Sequence, residues 1–260
     1  MVVTRAPEQS GELIRQLEEL GAEVLHLPVV RYEPPLDSGP LERAVADLAS
    51  FDWLILTSQN AVRFFTETVR GKFGMSLDSG VPLPRVAAVG PATAAAAREA
   101  GWEVAYIAGR FEGKALAAEL GERVKGCKVL LPRSDRARAD LPELLRANGA
   151  QVTEVVAYRT IDADLNDSVA VEKICAGQVD SITFASPSAF HALVRAIGPR
   201  LREVAGRVVL VAIGPVTAEA IKAAGYDARV VADESTAGGL TAAIADYFRK
   251  HRLTTGATSR

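Results

Sequence analysis

Six short stretches of this 260-residue chain place hydroxyl, guanidinium or small side chains where an apolar run gives way to a helical pattern. They are Thr4-Arg5, Thr57-Ser58-Gln59-Asn60, Gly90-Pro91-Ala92-Thr93, Pro132-Arg133-Ser134, Ser186-Pro187-Ser188 and Gly214-Pro215-Val216-Thr217. The first turn of a helix carries N–H groups without intrahelical partners and a partial positive charge, so it holds carboxylates or phosphates. Ser and Thr are also the ordinary N-caps of any helix. Six such turns in one chain favour a ligand with several negative charges. Arg5 and Arg133 end two equivalent runs. A guanidinium there can grip a carboxylate through two parallel bonds, or lie over a helix start with its charge in solvent. Tyr158 stands in an extended stretch. Its phenol can hydrogen-bond a leaving hydroxyl or act as a weak general acid, or pack one face of an amphipathic strand.

Other chemistries find no support. His26, His191 and His251 are scattered and pair with no evident nucleophile. There is no G-x-S-x-G elbow and no G-x-G-x-x-G fingerprint. The stretch 109–115 hints at a phosphate loop, but it is one residue short and has Ala115 where Ser or Thr must hold magnesium. Asp162/Asp164 and Asp233/Glu234 read as solvated loops. Cys127 and Cys175 lie far apart, with no C-x-x-C, so neither a zinc site nor a disulfide scaffold is expected and a reducing cytoplasm is the default. No metal is expected.

The elements that must position these residues follow from composition and periodicity. Apolar residues make up 48% and charged residues 24%, which excludes wholesale disorder. Aromatics are 6%, so the core is aliphatic. Lys and Arg number 30 against 32 Asp and Glu, a net charge of −2, which excludes nucleic-acid binding by bulk charge. No apolar run approaches the roughly 20 residues that span a bilayer, and no signal peptide is visible. The opening Met1-Val2-Val3-Thr4-Arg5 reads as the inside of a strand, so a short native lead-in or a different start is expected. Short Val- and Ile-rich runs at 2–4, 23–27, 53–57, 86–89, 104–107, 128–131, 152–156, 181–185, 208–213 and 228–231 suit strands buried on both faces. Helical patterns separate them, as in 13–20, where Leu13, Leu17 and Leu20 keep helical spacing before Gly21. The alternation predicts βαβ units and an α/β fold with parallel sheets.

The chain also repeats. Ala88-Val89-Gly90-Pro91-Ala92-Thr93-Ala94 recurs as Ala212-Ile213-Gly214-Pro215-Val216-Thr217-Ala218, and eight of the fourteen positions 88–101 match 212–225. At an offset of 128, Asp52-Trp53-Leu54-Ile55-Leu56-Thr57-Ser58 meets Asp180-Ser181-Ile182-Thr183-Phe184-Ala185-Ser186, and Arg5 meets Arg133. The offset changes in a loop at 71–84. Two copies of one α/β unit, about 125 residues each, are therefore expected. Clefts between such domains are favoured ligand sites.

Residues 57–62, 88–94, 156–160, 183–188 and 212–218, in that order after Val3-Thr4-Arg5-Ala6-Pro7, make the chain resemble the uroporphyrinogen-III synthase family over residues 1–250. The resemblance implies two similar α/β domains joined by a two-stranded extended linker, with the active site in the cleft. It implies a discontinuous domain of 1–30 and 164–251, a second of 38–156, linkers at 31–37 and 157–163, and a flexible tail at 252–260. The implied activity is a cofactor-free cyclising lyase of tetrapyrrole (porphyrin, haem) biosynthesis. It closes hydroxymethylbilane to uroporphyrinogen III, inverting the terminal pyrrole ring and losing water. By resemblance Tyr158 assists hydroxyl departure, and Ser58, Thr93, Ser186, Ser188 and Thr217 line the cleft as substrate contacts. Arg5 and Arg133 complete the expected binding set. A monomer in the cytoplasm is expected, with hand-over from hydroxymethylbilane synthase and no nucleic-acid or membrane partner. The competing reading is a non-catalytic two-domain protein that binds an anion or a tetrapyrrole for regulation.

Overall fold

The computed structural model describes residues 1–74, 82–109, 113–166 and 168–255. The chain runs β1 (Val2–Val3), α1 (Pro7–Glu19), β2 (Leu25–His26), β3 (Val30–Glu33), α2 (Gly39–Ala46), β4 (Trp53–Leu56), α3 (Gln59–Phe73), β5 (Arg85–Ala88), α4 (Pro91–Glu99), β6 (Val104–Ile107) and α5 (Gly113–Leu120). It continues with β7 (Lys128–Ser134), α6 (Asp140–Ala147), β8 (Gln151–Asp162), α7 (Val169–Cys175), β9 (Ser181–Phe184), α8 (Pro187–Ile197), α9 (Arg200–Val204), β10 (Val209–Ala212), α10 (Pro215–Ala223), β11 (Ala228–Val231) and α11 (Ala237–Thr255). No described helix is long and apolar enough to cross a membrane.

Two compact units result, Met1–Arg31 with Ile161–Arg260, and Tyr32–Thr160. The first holds a five-stranded sheet in the order β11-β10-β9-β1-β2, and the second a six-stranded sheet in the order β3-β8-β7-β4-β5-β6. β1 thus pairs in parallel with β9, whereas β4 lies in the other sheet between β7 and β5. The sequence repeat maps β1 onto β7, β2 onto β8 and β9 onto β4. With that mapping the five strands β2-β1-β9-β10-β11 and β8-β7-β4-β5-β6 have the same order. In each sheet the chain winds outward in both directions from one seam, between β1 and β9 or between β7 and β4. That seam, at the carboxyl ends of the strands, is where open α/β sheets place ligands.

The apolar runs are continuous because both faces are covered. On β4, Leu54 and Leu56 join a cluster with Phe65 and Trp102, while Trp53 and Ile55 join one with Leu116, Leu120 and Leu131 on the other face. In the first unit Val3, Val209 and Val211 meet Leu13, Leu17, Leu240 and Ile244. Pro7, Pro91, Pro187 and Pro215 stand in the first turns of α1, α4, α8 and α10, where the missing N–H costs nothing.

Three departures from the sequence reading concern length. β2 is shorter than the expected 23–27. β8 is one twelve-residue strand, longer than the expected 152–156, and its neighbour β3 makes the two extended connections a strand pair, as a two-stranded linker requires. α11 continues to Thr255, through the start of the expected tail at 252–260. Parts of the 71–84 and 109–115 stretches and residues 256–260 lie outside the described residues.

Two adjacent glycines give a stability test. A Cβ on Gly238 meets nothing within 4 Å, whereas one on Gly239 would sit 2.3 Å from the Glu234 carbonyl oxygen. Gly238→Ala should gain up to about 0.5–1 kcal/mol from helix propensity. Gly239→Ala should lose about 1–3 kcal/mol, because backbone must move. Urea unfolding midpoints of the two variants should move in opposite directions.

Candidate active site

The sheet of the second unit brings together side chains far apart in sequence. β4 ends at Leu56, and two residues on, Ser58 caps α3 by accepting from the Ala61 N–H at 3.1 Å. The same oxygen lies 3.1 Å from the Tyr158 hydroxyl, on a strand two positions away in the sheet. Tyr158 is buried, stacks on Phe64 at 5.5 Å and meets the edge of Tyr32 at 5.7 Å. Two aromatic contacts fix the ring plane, and the hydroxyl is left facing the polar seam. The polar side chains of Ser134 and Asn60 lie close enough to favour the ionised phenol.

Burial pushes the Tyr158 phenol above its ordinary value of 10. The Ser58 hydrogen bond pulls it back, and the Asp135 carboxylate adds to the rise. Desolvation disfavours the phenolate more than these hydroxyls favour it. Tyr158 is therefore a neutral O–H donor at any physiological pH, suited to an oxygen that gains negative charge as it leaves.

The equivalent edge of the first unit is built the same way. Ser186 caps α8 by accepting from the Ala189 N–H at 3.2 Å, and its oxygen lies 2.9 Å from that of Ser188. Thr217 in α10 and Thr93 in α4 are buried in equivalent first turns, behind Gly214 and Gly90 at the N-caps. Arg5 is half-buried beyond β1, and its carbonyl accepts from His26 Nε2 at 2.9 Å. His26 thereby carries its proton on Nε2 and serves the backbone.

Arg133 departs from its expected role. Its guanidinium bonds Glu154 on β8 and the Arg138 carbonyl, and the side chain is only 10% exposed. Arg146 reaches the same carboxylate at 2.8 Å. A charge this buried needs a partner, and Glu154 supplies it from the neighbouring strand. We therefore leave Arg133 out of the binding set. Among the described residues no cluster of His, Cys, Asp and Glu could hold a metal ion. A depression of about 310 Å³ lined by Asp47, Ser50, Phe51, Lys128 and Gln151–Thr153 opens at the amino ends of β7 and β8, away from these hydroxyls.

Comparison with known proteins gives this arrangement a relationship. The family model described as "Uroporphyrinogen-III synthase HemD" matches residues 11–242. The chain belongs to the uroporphyrinogen-III synthase family. It is 30% identical to the uroporphyrinogen-III synthase of Synechococcus elongatus, over 96% of each chain. It is 31% identical to the porphyrin biosynthesis protein HemD of Ruminiclostridium josui over 91% of its own length, and spans 46% of that longer protein. Its fold matches a crystal structure of a mutant uroporphyrinogen III synthase from the extremely thermophilic bacterium Thermus thermophilus, with a TM-score of 0.70 at 22% identity, covering 96% of this chain and 98% of that one.

Within this member of the family, Ser134, Asn60, Asp135 and Thr160 surround Tyr158 without having been singled out by sequence. Ser134 and Asn60 stood in the hydroxyl-rich turns, so part of the signal was present. Thr160 stood in the 156–160 motif without a role of its own, and Asp135 had no signal, because its closeness depends on how β7 and β8 pair.

The pH dependence of stability tests the phenol. Tyr158 holds its proton more tightly folded than unfolded, so its contribution is complete below about pH 10 and is lost as the pH rises through the folded value. Urea midpoints of the wild type should fall more steeply as the pH rises above about 10 than those of Tyr158→Phe. Parallel curves would contradict the burial argument.

Proposed function

We propose that this chain closes linear hydroxymethylbilane into uroporphyrinogen III, and that Tyr158 is the group that assists loss of the hydroxyl. What carries the activity is the match to a relative of that name over nearly the full length of both chains, together with the family model. What supports the role of Tyr158 is its state as a buried, protonated phenol at the seam of its sheet.

The reaction begins when the C–O bond of the hydroxymethyl carbon breaks and leaves an azafulvene cation. The pyrroles stabilise that cation, so no cofactor is called for. The departing hydroxide takes a proton, and a phenol is acidic enough to supply it, since water is a far weaker acid than a phenol. The terminal ring then attacks through its substituted carbon, giving a spiro intermediate that rearranges with inversion. A proton leaves the ring as aromaticity returns, and it restores the phenol. Water is the net loss. The hard task is steering, because the same ring has a free carbon that would close without inversion. Holding the reacting atoms in one geometry does most of such work.

The substrate carries eight carboxylates. The starts of α3, α4, α8 and α10, two in each unit, offer N–H groups and hydroxyls to them. Ser58, Thr93, Ser186, Ser188, Thr217 and Arg5 form our proposed contact set. A monomer that receives the bilane from hydroxymethylbilane synthase completes the proposal. So does a cytoplasmic setting, which the free thiols of Cys127 and Cys175 support.

Two outcomes are expected from assays that separate inverted from uninverted product. Tyr158→Phe should lower kcat about 10–1000-fold with little change in KM, as losing an acid or one key hydrogen bond does. Wild-type turnover would remove Tyr158 from the chemistry. Ser58→Ala, Thr93→Ala and Thr217→Ala should each be mild, because water replaces one hydroxyl among many, while Thr93→Ala with Thr217→Ala should be severe. A wild-type chain that yields no inverted product would restore the non-catalytic reading.

A further inference from the structure

One carboxylate in the second unit gathers the hydrogen bonds at the end of the β7–β8 ladder, and no step of the proposed reaction uses it. The two strands pair residue for residue from Lys128 opposite Gln151 to Arg133 opposite Val156, and then Ser134 stands opposite Tyr158. Ala157 is the extra residue of a bulge. Side chains alternate faces along a regular strand, so without the bulge Tyr158 would share the face of Val156, which is 40% exposed. Instead Val155, Ala157 and Tyr158 lie in one core cluster with Phe64 and Leu56. Bulges beside active sites re-aim side chains in this way.

Asp135 fixes this bulge from the β7 side. Its backbone N–H donates to the Tyr158 carbonyl at 3.1 Å. Its Oδ1 accepts from the Thr160 N–H at 2.9 Å and from the Ser134 hydroxyl at 3.0 Å. The Thr160 hydroxyl lies 3.1 Å from Ser134 Oγ, which also accepts from the Arg136 N–H at 3.2 Å. The backbone is thus held at the Tyr158 carbonyl and again at the Thr160 N–H. An extra residue in one strand leaves ladder groups unpaired, and the carboxylate takes up one of them.

We infer that Asp135 is a positioning residue for Tyr158: its carboxylate holds the bulge that turns the phenol from the exposed face of β8 onto Ser58. The inference rests on the reading of Tyr158 as the group that assists hydroxyl loss. It predicts coupling between the two residues and a change in the surroundings of the ring that is visible without turnover.

The experiment compares Asp135→Ala and Asp135→Asn, each alone and with Tyr158→Phe. It measures kcat and KM for formation of the inverted product, and near-UV circular dichroism of the unliganded protein. Asp135→Ala should lower kcat about tenfold or more, toward the value of Tyr158→Phe, with KM within about threefold. Asp135→Asn keeps an oxygen that accepts both bonds and should hold kcat within about threefold of wild type. In the Tyr158→Phe background, Asp135→Ala should cost less than about twofold more. The tyrosine signal that Tyr158→Phe removes should also be lost in Asp135→Ala and kept in Asp135→Asn. If Asp135→Ala does not fold, Asp135→Ser replaces it under the same expectations. Retention of the signal in Asp135→Ala overturns the inference whatever the rates show. So does an undiminished additional loss in the Tyr158→Phe background. If Tyr158→Phe turns over like wild type while the dichroism behaves as expected, the reading of Tyr158 fails and the positioning stands.

Discussion

Parallel strands hidden on both faces cannot be joined by tight turns. Each must hand its chain to a helix that crosses back over the sheet, and each such helix starts at the same edge. This constraint organises both units. It collects the N-termini of α3 and α4 at one edge of one sheet, and those of α8 and α10 at the matching edge of the other. Each N-terminus brings unpaired N–H groups. A chain with a net charge of −2 has no long-range attraction for a polyanion. The topology supplies locally what the composition lacks.

The same constraint explains what the sequence disclosed. Burial on both faces makes Trp53-Leu54-Ile55-Leu56 and Val209-Leu210-Val211-Ala212 unbroken apolar runs, so the strands were legible as runs. The helix starts were legible because Ser58, Ser186 and the Gly-Pro pairs are chosen for caps and first turns. The far half of β8 was legible as an extended stretch, but not as a continuation of the strand that begins at Gln151. Tyr158 and Thr160 are buried without the regular alternation or unbroken apolar run that marks the other strands, so their strand pairing shows in no periodicity. The partners of Tyr158 were hidden for a sharper reason. A one-residue shift in register between β7 and β8 decides which face each side chain takes, and a bulge leaves no compositional trace.

Arg133 shows how a repeat can mislead. Equivalent positions in two copies of a fold share backbone, not partners. Arg133 has Glu154 one strand away and a carbonyl in its own loop, so its charge is neutralised at home. The bond to the Arg138 carbonyl still reaches the candidate site indirectly, because it ties down the 135–139 loop that follows Ser134 and contains Asp135. A residue read as a clamp for substrate is thus part of the frame around the tyrosine.

The crossing of the chain between its two units has a consequence for synthesis on the ribosome. Residues 32–160 are contiguous and can fold as soon as they emerge. β1 cannot complete its sheet so early, since its neighbour β9 begins only at Ser181. At about 5–20 residues per second, β1 waits roughly 10–35 s for that partner. Val2 and Val3, fully buried in the finished protein, spend that interval in a nascent chain without their sheet. During that interval β1 is open to chaperones and to aggregation, and that liability is set by the order of the strands.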